Sequence, residues 1–452
     1  MLQNHIDEKA AVYEEVAMRI WGLAELGYQE YESSQLLQET LAGAGFTIEK
    51  QVAEMPTAFV ASYGTGQPVI GILGEFDALP GVSQDSLPER KVLSERGAGH
   101  ACGHHLFGVG SAAAAIAVKN WLEKEQITGT IKLFGTPAEE GGGGKIYMVK
   151  SGLFDDVDVV LHWHPSSENS ADAASSLANK SAKFRFYGKA AHAAGSPERG
   201  RSALDAVEAM NYMVNLMREH VDTKSRIHYV ITRGGEAPNV VPEFAEVFYY
   251  CRHPNPEQVK ENFNWIVEAA NGAAKGTQTR MEYEVIHGLY NLLPNEVLGR
   301  MMHTNLLKVG GVYYNEKELA FAEKLSESFG DILFNLESAK AVKPFRIQEE
   351  GTGGSTDVGD VSWVVPTAGM RAATWAPGTP AHSWQAVACG GTSIGIKGMK
   401  VAAKTMAMTA ADLFSEDVKI KEAWTELNRR RGAQFEYESL VGDRKPPLDY
   451  RN

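Results

Sequence analysis

The 452-residue sequence predicts an α/β fold with a smaller βαββαβ unit inserted into it. Three observations carry that expectation: short apolar runs that end in polar residues, helical segments between those runs, and a change of texture between about residues 181 and 292. Residues 8–44 place Ala11, Val16, Ile20, Leu23, Leu36, Leu37 and Leu41 at helical spacing ahead of Gly43 and Gly45, and predict one long helix. The runs TAFVASY, VIGILGEFDALP, IKLFGTPAEE and VDVVLHWHP predict strands, and the alanine-rich stretch 106–122 predicts a helix covering their sheet. Open sheets of this kind hold their ligand crevice outside the carboxyl ends of the strands, where these runs turn polar.

In the inserted unit the order is strand KFRFY, helix 202–220, strand IHYVIT, strand AEVFYYCR, helix 256–270 and strand RMEYEVI. Ala203, Val207, Met210, Val214 and Met217 form one helix stripe, and Met281, Tyr283 and Val285 alternate with their neighbours, as in a sheet with helices on one face. The chain then returns to short apolar strands, WVVPTAG and RAATWAP, and a long helix over 395–414. The expected domains are 1–180 and 294–452 as two parts of one unit, with 181–293 inserted between them. The tail is charged and proline-containing, and its RRRG run reads as a solvated face rather than a binding patch.

A net charge of −13 argues against a nucleic-acid surface, since affinity for phosphates comes from lysine and arginine releasing counterions. The longest apolar run, around 109–118, is too short to span a bilayer, and the first residues carry early acids without a signal-type apolar core, so the expected setting is the cytosol and the expected partners small molecules. Cys102, Cys251 and Cys389 show no framework spacing, which argues against structural disulfides.

The densest chemical signal is GHACGHH at 99–105, where Cys102 and His104 stand two apart around a glycine and, in an extended segment, point the same way. A thiolate and an imidazole side by side can share one zinc-type site or bridge neighbouring ions. The second signal is TPAEEGGGGK: Glu139 and Glu140 end a strand ahead of four glycines, and adjacent side chains diverge, so one carboxylate can ligate while the other faces water. His162 and His164 share a strand face in LHWHP, His164 nearer its end, and His382 lies in the loop PGTPAHSW. Asp77, in GEFDALP, suits an acid that orients a histidine ligand, or a turn cap.

At these residues the sequence resembles the aminoacylase and carboxypeptidase amidohydrolases of peptidase clan MH, in the branch of auxin-conjugate, hippurate and aminobenzoyl-glutamate hydrolases. The matching pieces are DALP at 77–80, HACGH at 100–104, PAEEGG at 137–142, DVVLHWHP ending at Pro165, and in the inserted unit GKAAHAAGSPERGRSALDAV and GGEAPNVVPEFAEVFYYCR. GTGGSTDVGDVSW, TPAHSW and GTSIGIKGM are most similar to the aminobenzoyl-glutamate subgroup. The resemblance implies a mixed-sheet two-metal peptidase domain with a ferredoxin-like lid and dimerisation domain, acting on the amide of an acyl or aroyl amino acid. It implies two divalent ions, zinc or manganese, with Cys102 bridging and His104, Glu140, His164 and His382 completing them. By the same resemblance Glu139 is base and then acid, His192 reaches the scissile carbonyl of the other protomer, and Asn239 and Arg252 lie towards the substrate carboxylate. A homodimer, or a heteromer with a related chain, follows from it. One departure is His105, where many relatives carry an acid. The competing readings are a metal-free hydrolase with Cys102 as nucleophile, and a non-catalytic partner of such a hydrolase.

Overall fold

In the computed structural model, which describes residues 1–95, 97–330, 335–351 and 353–451, the amino-terminal helical pattern is divided among α1 (Leu2–Glu8), α2 (Ala10–Leu23) and α3 (Tyr31–Gly43). The expected single helix over 8–44 is therefore corrected. Ala24 enters the left-handed region at φ 44° and closes α2, and Glu25 then accepts the Ala78 amide at 2.8 Å, tying the break to the end of a strand. Helical spacing resumes after the break, so periodicity alone reads straight through it.

The chain continues through β1 (Thr47–Lys50), β2 (Phe59–Thr65), β3 (Val69–Glu75), α4 (His104–Glu125), β4 (Gly129–Thr136), α5 (Gly144–Lys150) and β5 (Val159–Ser166). After β6 (Ala173–Ala174) come the elements of the inserted unit: β7 (Ala178–Tyr187), α6 (Ala203–Met217), β8 (Arg226–Arg233), β9 (Phe244–His253), α7 (Pro256–Thr277) and β10 (Arg280–Leu289). The remainder is α8 (Glu296–Val309), α9 (Glu316–Ser326), β11 (Ile347–Gln348), α10 (Val358–Val364), β12 (Thr367–Ala373), α11 (Trp384–Gly390), α12 (Ser393–Ser415) and α13 (Asp417–Arg431). Thr352 of the GTGGSTDVGDVSW segment lies outside the described residues.

A mixed six-stranded sheet of order β1-β2-β4-β3-β5-β12 forms the centre, with β3 parallel to β4 and β5, and β5 parallel to β12. Alternation along β3 explains its two faces: Ile70 and Ile72 join the core under α4 and α12, while Val69 and Leu73 join the core under α5 and α10. The carboxyl ends of β3, β4 and β5 thus open on one edge, the position the strand pattern predicts for a crevice. The expected strand WVVPTAG is corrected in its first half, since Trp363 and Val364 end α10 and the strand starts only at Thr367, beyond Pro366.

The inserted unit folds in its predicted βαββαβ order into an antiparallel sheet β10-β7-β9-β8, with Phe184, Val207, Met210, Val247 and Ile266 in a core of its own. Its edge strand β8 leaves Tyr229, Val230 and Ile231 exposed. Of the RRRG run, Arg429 is exposed as the charge pattern suggests while Arg430 and Arg431 are half-buried, and the tail beyond it packs onto the body. Leu440 and Val441 are buried, the Tyr437 hydroxyl donates to Asp360 at 2.6 Å, and Arg431 donates to the Trp363 carbonyl at 2.7 Å. Among the described residues no helix is long and apolar enough to cross a membrane.

Candidate metal centre

The carboxyl-end crevice gathers side chains from five segments. β3 ends in Glu75, with Asp77 two residues on; Cys102 and His104 stand at the start of α4; Glu139 and Glu140 follow β4; His164 is on β5; and His382 precedes α11. The segment at Cys102 is a turn rather than extended: Gly103 adopts φ 76° and His104 opens the helix. Glycine is required there, because a Cβ would stand 2.7 Å from the Pro165 ring. That close approach brings the Cys102 thiol to 3.4 Å from His164 Nε2.

The loop carrying the two glutamates is shaped by backbone. Ala138 sits at φ 57°, its carbonyl accepts the Gly142 and Gly143 amides at 3.0 and 2.8 Å, and a Cβ at Gly144 would stand 2.1 Å from the Pro137 oxygen. Buried Glu30 accepts the Ala138 amide at 2.8 Å, and Asp77 Oδ2 accepts the Glu140 amide at 2.9 Å. Asp77 Oδ1 meets His104 Nδ1 at 2.9 Å, so one carboxylate fixes both the ring and the loop. His382 has φ 57°, and its amide donates to the Ala101 carbonyl at 3.0 Å, pinning it to the cysteine turn.

Two groups of possible ligand atoms result, Cys102 with His104 and His164, and Cys102 with Glu140 and His382, each with its atoms within 4.8 Å of one another. They share the thiol. A third group of the same span joins His104 to Glu75 and Glu139. The five residues expected to bind metal are thus brought together, with Glu139 beside them.

Fit to cations rests on what these atoms lack. His104 Nε2 and Glu140 Oε1 are buried without a hydrogen-bond partner. Glu140 Oε1 lies 3.2 Å from His382 Nε2, yet the pair is not aligned as a hydrogen bond. Burial, then the carboxylates of Glu75, Glu140 and Asp357, hold the Glu139 carboxyl well above its ordinary range. Burial likewise raises Glu75 and Asp357. Asp77, although burial pushes it upward, ends below its ordinary value through His104. Burial and then neighbouring His104 hold the His164 imidazole neutral, and burial raises the Cys102 thiol. A crowd of buried carboxylates with one lysine among them is short of positive charge, and its sulfur, nitrogen and oxygen donors suit borderline divalent ions.

The other histidines divide. His162 is half-buried with its Nε2 buried and unpartnered, and its ring packs where a Cβ on Gly369 would stand 2.3 Å away. His105 Nε2 meets the Gly390 carbonyl at 3.1 Å, joining α4 to α11, and His100 Nε2 meets the Ile20 carbonyl at 3.0 Å, joining the loop before α4 to α2. The structure does not join His192, Asn239 or Arg252 to the cluster through any hydrogen bond or ion pair among the described residues. His192 is exposed, its Nδ1 accepts the Ala194 and Gly195 amides at 3.2 and 3.0 Å, and the neighbouring Ala193 amide donates to the Asn239 carbonyl at 3.0 Å. Arg252 lies 5.3 Å from the centre of the Tyr250 ring.

Sequence reasoning missed Glu75, Lys145, Asp357 and Glu30. Lys145 Nζ donates to Glu75 at 2.7 Å and to Asp357 at 2.6 Å, all three side chains at 1% exposure or less. Glu75 had a signal, for strand alternation places it on the face of Asp77. A lysine after four glycines reads as solvated, and Glu30 carries no pattern.

Comparison with known proteins now adds a family. The model of peptidase family M20/M25/M40 matches residues 71–410. The chain is 41% identical to one of the p-aminobenzoyl-glutamate hydrolase subunits of Escherichia coli K12, covering 94% of each, and 31% identical to the human Xaa-Arg dipeptidase, covering 80% of this chain and 76% of the other. Among solved structures, the aminobenzoyl-glutamate utilization protein of Klebsiella pneumoniae superposes with TM-score 0.63 at 19% identity, covering 91% of this chain and 98% of that one. A dinuclear metal-binding M20 peptidase of Bacillus subtilis superposes with TM-score 0.60 at 15% identity, covering 90% and 99%. With its family model matched over most of its length and a relative at 41% identity across nearly all of it, the chain is a hydrolase belonging to peptidase family M20/M25/M40.

Proposed function

We propose that this chain cleaves the amide bond of an N-aroyl or N-acyl amino acid of the aminobenzoyl-glutamate type, using two divalent ions held by Cys102, His104 and His164 on one side and Cys102, Glu140 and His382 on the other. The observation that carries it is the convergence of those five side chains on the shared thiol with Glu139 alongside. The 41% identical relative, named as part of a p-aminobenzoyl-glutamate hydrolase, supports the substrate class. When bound, such ions supply Lewis acidity to the carbonyl and acidify water.

The chain's own residues do the rest. Asp77 holds His104 in one tautomer by accepting its Nδ1 proton, which leaves Nε2 as the donor atom. Glu139 takes a proton from the attacking water and passes it to the leaving amine as the C–N bond breaks, so one carboxylate serves as base and then acid. His192 of a second copy donates to the carbonyl oxygen, and Asn239 and Arg252 receive the substrate carboxylate. The inserted unit, 181–293, serves as the dimerising lid of a catalytic unit formed by 1–180 and 294–452, a reading supported by the exposed apolar edge of β8 and the exposed Tyr212, Met213 and Leu216 of α6. A related chain is the alternative occupant of that surface, since the 41% identical relative is named as one subunit of its hydrolase. The setting that goes with this reading is the cytosol.

Cys102 as a free nucleophile is disfavoured, since burial raises its thiol and a nucleophilic cysteine needs the reverse. The deciding experiment is metal analysis of natively purified protein with an assay on a panel of aroyl and acyl amino acids, before and after chelation. About two ions per chain, loss of aroyl-glutamate cleavage on chelation and recovery with zinc, manganese or cobalt are expected. Full activity without metal overturns the reading. Metal-loaded but inactive protein that gains activity with a related chain replaces it with the heteromer.

A further inference from the structure

Glu75 is not among the five residues read as ligands, yet its carboxylate is placed as a ligand's would be. It ends β3, two residues before Asp77, and the two acids flank the His104 ring, Asp77 at Nδ1 and Glu75 at Nε2. The two contacts differ in kind. Asp77 Oδ1 and Nδ1 form an aligned hydrogen bond at 2.9 Å. Glu75 Oε2 stands 3.1 Å from Nε2, but both atoms are buried and left without a hydrogen-bond partner, so the ring's N–H direction misses the carboxylate oxygen.

Two donor atoms that lie side by side without pointing at each other are arranged as neighbours around a common centre. Donors at about 2.1 Å from one ion, with an angle between them of about 90–110°, are separated by about 3.0–3.4 Å. The Glu75–His104 separation falls within that span, as does the 3.2 Å between His382 and Glu140. A thiolate at about 2.3 Å and an imidazole at about 2.1 Å give nearly the same separation, about 3.4 Å near 100°, which is what Cys102 and His164 show at 3.4 Å.

The other half of the Glu75 carboxylate is fully engaged. Oε1 accepts from Lys145 Nζ at 2.7 Å; Lys145 in turn donates from Nζ and from its backbone amide to the two oxygens of Asp357, at 2.6 and 2.9 Å. All of this is buried. An ammonium that holds one oxygen fixes the carboxylate rotamer and leaves the second oxygen directed into the cluster, the support expected behind a carboxylate that binds through one atom. Lys145 also offsets charge that would make a further acid costly beside Glu139 and Glu140.

We propose that Glu75 is a sixth ligand, binding through Oε2 the ion that His104 holds, with Lys145 and Asp357 as the residues that position it. This rests on the two-ion reading above, and the experiment separates the two. The zinc-loaded wild-type protein is crystallised, and zinc binding is titrated against a competing chelator for wild type, Glu75→Gln and Glu75→Asp, with folding followed by circular dichroism. Glu75 Oε2 is expected within about 2.2 Å of one ion and farther from the other. Both variants should weaken one of the two zinc sites at least tenfold and leave the second within about threefold, and X-ray absorption of the zinc-loaded Gln variant should show fewer oxygen donors. Two zinc ions with Glu75 Oε2 beyond about 3 Å from both overturn the sixth ligand while leaving the five-residue centre standing. A wild type that takes up no zinc or other divalent ion overturns the two-ion reading itself. The wild-type crystal decides the matter even where a variant fails to fold.

Discussion

Glu139 and Glu140 are adjacent in sequence, yet their surroundings differ at every point. Glu140 has its amide on Asp77, its carbonyl on the Tyr450 hydroxyl at 3.2 Å, and its Oε1 beside His382. Glu139 faces Glu75 and His104 instead. Replacement of each by glutamine should therefore fail differently. Glu139→Gln removes a proton carrier from a site whose donors remain, so kcat falls about a hundredfold or more while both ions stay. Glu140→Gln removes a donor, and chelator titration should show at least tenfold weaker metal binding. Equal loss of metal in the two variants would overturn the assigned roles. At this scale the cysteine, histidine and paired-glutamate signals were legible because metal-binding residue types cluster in short segments. The acids and lysine behind them were not, since Lys145, Asp357 and Glu30 meet the site through tertiary contacts between segments far apart in sequence, such as Lys145 with Asp357 and Glu30 with Ala138.

Elements were readable where one periodicity ran uninterrupted, as in the six parts of the inserted unit, and unreadable where tertiary contacts overrode it. The break after α2 exists because residues 24–30 turn under the glutamate loop, where a Cβ on Gly27 would stand 2.2 Å from the Tyr450 hydroxyl. The tail is the same case: charged in sequence, it nevertheless packs on α10 through Tyr437 and Asp360. Asp360 is fully buried and accepts the Tyr437 hydroxyl and, at 3.1 Å, the Tyr290 amide. Burial pushes its carboxyl to about 7, against about 3.9 in an unfolded chain. The folded state therefore holds the proton more tightly. The stability this contributes is present below pH about 4 and is lost as pH rises to about 7, with a slope near 1.4 kcal/mol per pH unit in between. Asp360→Asn removes the titration, so the wild type should lose stability relative to the variant from pH 4.5 to 6.5, measured by urea unfolding of the metal-loaded proteins. A difference independent of pH would mean that Asp360 is already ionised at the acid end.

The molecule as a whole separates the candidate metal ligands from the polar groups proposed to meet the substrate. The cluster belongs to the six-stranded sheet, whereas His192, Asn239 and Arg252 belong to the inserted unit, and His192 spends Nδ1 on the Ala194 and Gly195 amides. That capping fixes the ring and leaves Nε2, on an exposed side chain, as the atom able to donate to something outside. With β8 exposed at the sheet edge, a second copy is the natural means of bringing such a donor to a developing oxyanion. Co-expression of Glu139→Gln and His192→Ala chains tests this directly. Each variant alone should be inactive. In random association about half the dimers are mixed, and each mixed dimer pairs the intact Glu139 of one chain with the intact His192 of the other at one of its two sites, so about a quarter of wild-type activity should return. Mixed dimers shown to form without any recovery would place His192 in its own chain's site or in none, and would confine it to the turn it caps.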